Sequence, residues 1–324
     1  MFDMHYDLLS VAYCAYLKND YSFLEEWCSA YNKDNVRGVI CNLYFMSEEE
    51  MRNELHPNYY QKDVSVVEMF RIATEIVKVM LPDTELLFSI EGCDFLEVED
   101  LDELYDLGLR NILPVWNEKN KYASGNRSDS GLTEEGKRLL DKAIELGISI
   151  DLSHANDRSF YDIISYLKEK KSLGDNFLVM ASHSNARSLC GRTRNLTDEE
   201  VFLLGEVGGM VGLLENRNFL FSNEKKDVVS QEEKEEEYLK NISHMVDIVG
   251  VSHVGVATDD MGFCVDADPE YGELAIFPYK EIGSRLKSLL SKKFREQDVY
   301  KIMYGNMKKR YDILTSSNMK GKVI

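Results

Sequence analysis

Eight short apolar, β-rich runs punctuate this chain, and most of the intervals between them carry helical periodicity. The runs are residues 1–5, then "VRGVICNLYF", "ELLFSIEG" (85–92), "LRNILPVW" (109–116), "ISIDLSH" (148–154), "FLVMASHS" (177–184), "MVGLLENR" (210–217) and "HVGVATDD" (253–260). Near-continuous apolar strands mean a sheet covered on both faces, which is how parallel sheets are built. The clearest helical intervals are 65–81, 133–147, 156–170 and 197–209. Thr133 and Asp157 stand where N-terminal caps are useful, and Gly147 stands where a glycine closes a helix. Eight such units predict an α/β fold, a closed (β/α)8 barrel of the TIM type, with residues 1–324 as one domain rather than an open doubly wound sheet. No GxGxxG or GxxxxGK[ST] follows any run, which weakens a nucleotide-binding reading. The acidic stretch "SQEEKEEEYLKN" (230–241) reads as a solvated helix between the seventh and eighth strands rather than a docking face.

Composition removes several classes of function. The formal charge is −19 with 57 acidic against 38 basic side chains, so a general nucleic-acid or anionic-membrane surface is not expected. There is no basic segment followed by an apolar leader, no run of about 18 apolar residues, and the end "SSNMKGKVI" is not an apolar tail. The 6 cysteines include no CxxC pair and read as reduced thiols. A cytoplasmic location without membrane attachment is the expectation.

In a barrel of this kind, chemistry sits at the C-terminal ends of the strands. His5 and Asp7 fall there on the first strand and, two residues apart, could share one face of it. Glu91 ends the third strand, His154 the fifth, His183 the sixth and Asp259 the eighth. Singly, a histidine at a strand end is more often a hydrogen-bonded structural group, and an acid there often caps the next helix. Together they form a donor set too large for one catalytic zinc with an open position. Three histidines, an aspartate and a glutamate suit two metals sharing a carboxylate, a device that lowers the pKa of a bridging water and polarises a carbonyl. A further carboxylate, Asp259, is then placed to pass a proton to the leaving amine. His56, His244 and His253 sit on helices, loops or a strand start and read as structural.

The ordered landmarks "DMHYD", "SIEG", "DLSHAN", "ASHSNARSLCGRTRN", "VGVATDDMG" and "MYGNMKKRY" resemble those of the membrane dipeptidase (renal dipeptidase) family, from residue 3 to about 311. The resemblance implies a binuclear zinc peptidase on a metal-dependent-hydrolase barrel. It implies that His5 and Asp7 hold one ion, His154 and His183 the other, and that Glu91 bridges them. By the same resemblance Arg194 would grip the C-terminal carboxylate of a dipeptide, for which its planar fork is suited. Asp259 would be the acid/base, D-residues would be accepted at the second position, and a homodimer would be common. On sequence alone the other reading of Arg194 is a salt bridge in a surface loop.

Three positions depart from the family pattern. Trp116 stands where the family has a histidine contacting the developing oxyanion, "EGCD" replaces an "EGG"-type turn with Cys93 and Asp94, and the eighth strand ends Thr258-Asp259-Asp260. The expectation is a complete metal site with altered substrate-facing positions, and weak activity on ordinary dipeptides unless Trp116 is a pocket wall and Asn117 supplies the donor. The alternatives are a binuclear hydrolase of another amide, a lactone or a phosphoester, and a non-catalytic metal-binding relative.

Overall fold

The computed structural model describes residues 1–33, 36–45, 64–170, 179–221, 229–259, 275–278 and 280–316. Eight parallel strands close into a barrel in sequence order. They are β1 (Phe2–Tyr6), β2 (Gly38–Tyr44), β3 (Glu85–Glu91), β4 (Leu109–Leu113), β5 (Ser149–Asp151), β6 (Val179–Ala181), β7 (Met210–Leu214) and β8 (Val254–Ala257). The helices are α1 (Leu8–Lys18), α2 (Ser22–Lys33), α3 (Val66–Met80), α4 (Leu101–Leu107), α5 (Glu134–Leu146), α6 (Asp157–Glu169), α7 (Asp198–Glu206) and α8 (Gln231–Val249), then α9 (Ile282–Ser291), α10 (Glu296–Tyr300) and α11 (Asn306–Thr315). The expected α/β barrel is therefore the observed one. His56, Asp260 and Cys264 lie outside the described residues.

Local chemistry sets the element ends. Thr133 caps α5 by accepting the Gly136 N–H at 2.9 Å, and Gly147 closes it in the left-handed region at φ 73°. The cap of α6 is Asn156, not Asp157 as expected: Asn156 Oδ1 accepts the Ser159 N–H at 2.7 Å. Asp157 is the first helical residue, where its charge faces the positive helix end and pairs with Arg187. Ser230 and Glu233 form a capping box on α8, which carries the acidic stretch between β7 and β8 as expected.

The barrel interior is apolar toward the N-terminal ends of the strands. Phe2, Met4, Ile40, Leu87, Met180 and Met210 pack there, and Met307 and Leu314 of α11 close it from below. Small residues make room for this layer: a Cβ on Gly255 would stand 2.3 Å from Met4 Sδ. A second, larger core lies between the sheet and its surrounding helices. No helix among the described residues is long and apolar enough to cross a membrane.

Candidate metal centre

The strand ends deliver the six acid and histidine side chains singled out from sequence to one place. The means differ from simple alternation. Strand β1 carries a bulge between Asp3 and Tyr6, so His5 does not share a face with Asp7 by i, i+2 spacing. The bulge turns His5 inward directly after Met4, and Asp7 lies beyond the strand as the N-cap residue of α1. His154 and Asp259, past the ends of β5 and β8, have positive φ of 70° and 50°. Side chains other than glycine seldom adopt that conformation, and such strain gathers at functional sites.

Two buried carboxylates staple these loops in pairs. Asp3 Oδ1 accepts the N–H of His5 (3.2 Å) and of Thr258 (3.0 Å), and its Oδ2 accepts the Thr258 hydroxyl at 2.7 Å. This joins the His5 loop to the loop of Asp259, whose N–H donates to the His5 carbonyl at 2.9 Å. Asp151 Oδ1 accepts the N–H of Ser153 and of Ser182, both at 3.0 Å, and so joins the loops of His154 and His183. Neither aspartate stood out in the sequence, although "DMH" and "DLSH" share an acid two or three residues ahead of a histidine.

Glu91 stands at the middle. Its Oε2 is 2.9 Å from His5 Nε2, while its Oε1 is 3.1 Å from His154 Nε2 and 3.6 Å from His183 Nε2. The Nε2 atoms of His154 and His183 face each other at 3.0 Å. On the other side His5 Nε2 lies 3.8 Å from Asp7 Oδ1 and 3.7 Å from Asp259 Oδ1. Donor atoms therefore gather in two overlapping groups, His5–Glu91–His183 and His5–Asp7–Asp259.

The donor set fits divalent cations. Asp7 Oδ1 and Glu91 Oε1 are buried without a hydrogen-bond partner, a costly arrangement for carboxylates unless a cation meets them. Burial holds Glu91 up to about 8 and Asp259 up to about 7, and pushes Asp7 well above the ordinary carboxylate range, with Glu91 adding repulsion there. Burial first, then cationic neighbours, pushes His154 and His183 well below the ordinary imidazole range, so both rings are neutral as ligands require.

Arg194 is buried rather than part of a surface ion pair. Its Nη1 donates to Ser184 Oγ and its Nη2 to the His183 carbonyl, both at 2.9 Å. Asn117 Oδ1 lies 3.0 Å from His154 Nδ1. The Trp116 ring, half-buried, stands 5.9 Å from the His154 ring and meets Tyr44 edge-on at 4.9 Å. Tyr44, absent from the sequence reading, thus backs the indole; it ends β2 in register with Glu91. Cys93 is buried and donates to the Leu113 carbonyl at 3.2 Å, while Asp94 accepts from Asn120. His244 and His253 lie elsewhere, against Asp198 and the Gly209 carbonyl.

Comparison with known proteins gives the family of the chain. The family model for membrane dipeptidases (peptidase family M19) matches residues 34–314. An uncharacterized protein in the pqqA 5′ region of Klebsiella pneumoniae is 29% identical over 203 residues, which is 60% of this chain and 70% of that protein. An uncharacterized protein in the PQQ-III 3′ region of Acinetobacter calcoaceticus is 30% identical over 152 residues, 44% of this chain and 46% of that protein. A metallo peptidase from Rhodobacter sphaeroides, liganded with a phosphinate mimic of the dipeptide L-Ala-D-Ala, has the same fold with a TM-score of 0.69 at 22% identity, covering 97% of each chain. With the family model spanning most of its length, the chain belongs to the membrane dipeptidase family, peptidase family M19, and is a hydrolase of that family.

Proposed function

We propose that the protein is a metal-dependent dipeptidase working with two divalent ions, zinc by family resemblance, and able to take D-residues at the second position. The observation that carries this reading is the pair of donor groups that share His5, one of them including Glu91 and the other Asp7, each with a carboxylate oxygen that no hydrogen bond satisfies. His5 and Asp7 would hold one ion, His154 and His183 the other, with Glu91 between. Bound there, the ions supply Lewis acidity, making water a nucleophile near neutral pH and polarising the amide carbonyl. The remaining steps fall to the chain. Asp259, partly exposed at the mouth, is placed to take the proton of the attacking water and hand it to the leaving amine. Arg194, held by Ser184 and the His183 carbonyl, would orient the substrate carboxylate. Trp116, backed by Tyr44, would form a wall beside the reacting amide, and Asn117 would hold His154 from behind.

The wild-type carboxylates and Arg194 together favour hydrolysis over a purely metal-holding role. The test is turnover of a mixed panel of L,L and L,D dipeptides, with lactones and phosphoesters alongside, and bound metal quantified on the same sample. Dipeptide turnover with close to two ions per chain is expected. Turnover confined to a lactone or phosphoester would replace the substrate assignment, and one ion or none after reconstitution would remove the binuclear one.

A further inference from the structure

Ser182 immediately precedes His183, is fully buried, and sits between two rings. Its hydroxyl oxygen is 3.1 Å from His5 Nδ1 and 2.8 Å from His183 Nδ1. Those rings lie face to face, with centroids 3.6 Å apart and planes 35° apart. Both present Nδ1 to the serine and Nε2 toward Glu91. In the reading above the two histidines hold different ions, so one hydroxyl touches a ligand of each.

An imidazole that binds a cation through Nε2 must carry its proton on Nδ1, and the partner of Nδ1 sets that tautomer. A serine hydroxyl offers one proton and two acceptor lone pairs. It can therefore accept an N–H from both rings at once, which an amide or carbonyl in the same place would do with less freedom. The Ser182 N–H donates to Asp151 Oδ1 at 3.0 Å. That same bond fixes the loop on which the hydroxyl is carried.

We propose that Ser182 is a shared positioning residue: its hydroxyl accepts Nδ1–H from His5 and from His183, presenting both Nε2 atoms bare, so that the two metal subsites depend on one side chain. The inference rests on the binuclear reading above and is tested without substrate. His154 is the internal control, because its Nδ1 faces Asn117 Oδ1 rather than Ser182.

The experiment compares wild type, Ser182→Ala, Ser182→Cys and Ser182→Thr by zinc competition titration and by nitrogen-15 spectra of the zinc-loaded imidazoles. Alanine and cysteine, the latter similar in size but a weak acceptor, should each lower affinity for both ions by about 10–100-fold, the usual worth of a group behind a ligand. The Nδ1–H signals of His5 and His183 should both shift and lose protection from exchange, while that of His154 stays. Threonine, which keeps the hydroxyl, should recover affinity if its methyl fits; the cysteine variant decides the matter if it does not. Two results overturn the proposal: wild-type affinity for both ions in the alanine and cysteine variants, or a change confined to one of the two histidines. A wild-type chain that takes up fewer than two ions fails the binuclear reading itself, and the proposal with it. Two ions with no dipeptide turnover would fail only the substrate assignment.

Discussion

The two ends of the barrel interior follow opposite rules. At the N-terminal ends of the strands, Phe2, Met4, Ile40, Leu87, Met180 and Met210 pack an apolar layer sealed by α11. At the C-terminal ends, a few residues further along the same strands, lie buried acids, facing imidazole nitrogens, two side-chain residues at positive φ and carboxylate oxygens without partners. The lower layer has the composition that stabilises a barrel core. The upper one breaks nearly every rule of burial, and such concentrated violations mark a place built for something other than stability. The contrast teaches that the strands are a scaffold whose cohesion comes from below, leaving the upper ends able to carry unfavourable groups. It predicts that changes above will cost ligand binding and rate, and changes below will cost stability.

The largest effect belongs to Glu91. Replacing it by glutamine keeps the shape and removes the charge between the two donor groups. Glu91→Gln should lower occupancy of both ions and nearly abolish turnover, whereas His154→Ala should mainly empty one subsite. The folded state should survive, and the gain in Tm on adding zinc, which reflects binding to the native state, should shrink or vanish. Elemental analysis and thermal unfolding with and without zinc measure both. A variant that still takes two ions would break the comparison, because the central carboxylate would then belong with the structural groups.

Asp259→Asn should leave the ions in place and cut turnover by about 10²–10⁴, the worth of a positioned proton-transfer group. Steady-state kinetics at matched metal content reads the effect. If metal is lost instead, Asp259 acts as a ligand in the group it forms with His5 and Asp7.

The sequence made much of this legible because strand ends in a parallel barrel have a fixed meaning. A histidine or acid closing an apolar run needs only the fold to be read as facing the site, so His5, Glu91, His154, His183 and Asp259 could be named in advance. What could not be read was how they arrive. The bulge in β1 depends on pairing with β2, and no local signal places it between Asp3 and Tyr6. The joining of loops by Asp3 and Asp151 spans neighbouring strands, one pair 255 residues apart in the chain. Ser182 is a single common residue, and only the fold brings the distant His5 ring onto its hydroxyl beside the ring of His183. Either Asn156 or Asp157 has a side chain that can cap α6, and it is Asn156 that keeps the extended backbone ahead of the helix and accepts the Ser159 N–H.

Below, the sign of the effect reverses. Leu87 is fully buried in the lower layer, and Leu87→Ala should destabilise the fold by about 2–5 kcal/mol through lost transfer energy and a residual cavity. The folded fraction should still bind two ions and keep its kcat. Denaturant unfolding together with metal titration checks both halves. Loss of metal affinity in the folded protein would show that the two layers are mechanically coupled.

Trp116 is the smallest expected effect and the one that most sharpens the contrast, since it lies on the upper rim but is apolar. Its ring stands 5.9 Å from that of His154 and is braced by Tyr44. The resemblance read from the sequence would put a histidine at this place, able to donate to the oxygen that gains charge, and a single such donor is typically worth about 10²–10³ in rate. Indole carries one N–H on a larger, neutral and rigid ring, and here that ring lies between Tyr44 and the Arg127 guanidinium, 6.0 Å from its centroid. Trp116→His should therefore raise kcat/KM on simple dipeptides by about tenfold, less than the full worth of a donor because the new imidazole lacks neighbours that fix its aim. The measurement is kcat/KM for both proteins on the same L,L and L,D dipeptides at equal metal content. A fall in the variant would overturn the missing-donor account. It would make the indole a surface on which substrate rests, and would place this edge of the mouth with the apolar layer below in how it works: by contact area rather than by charge.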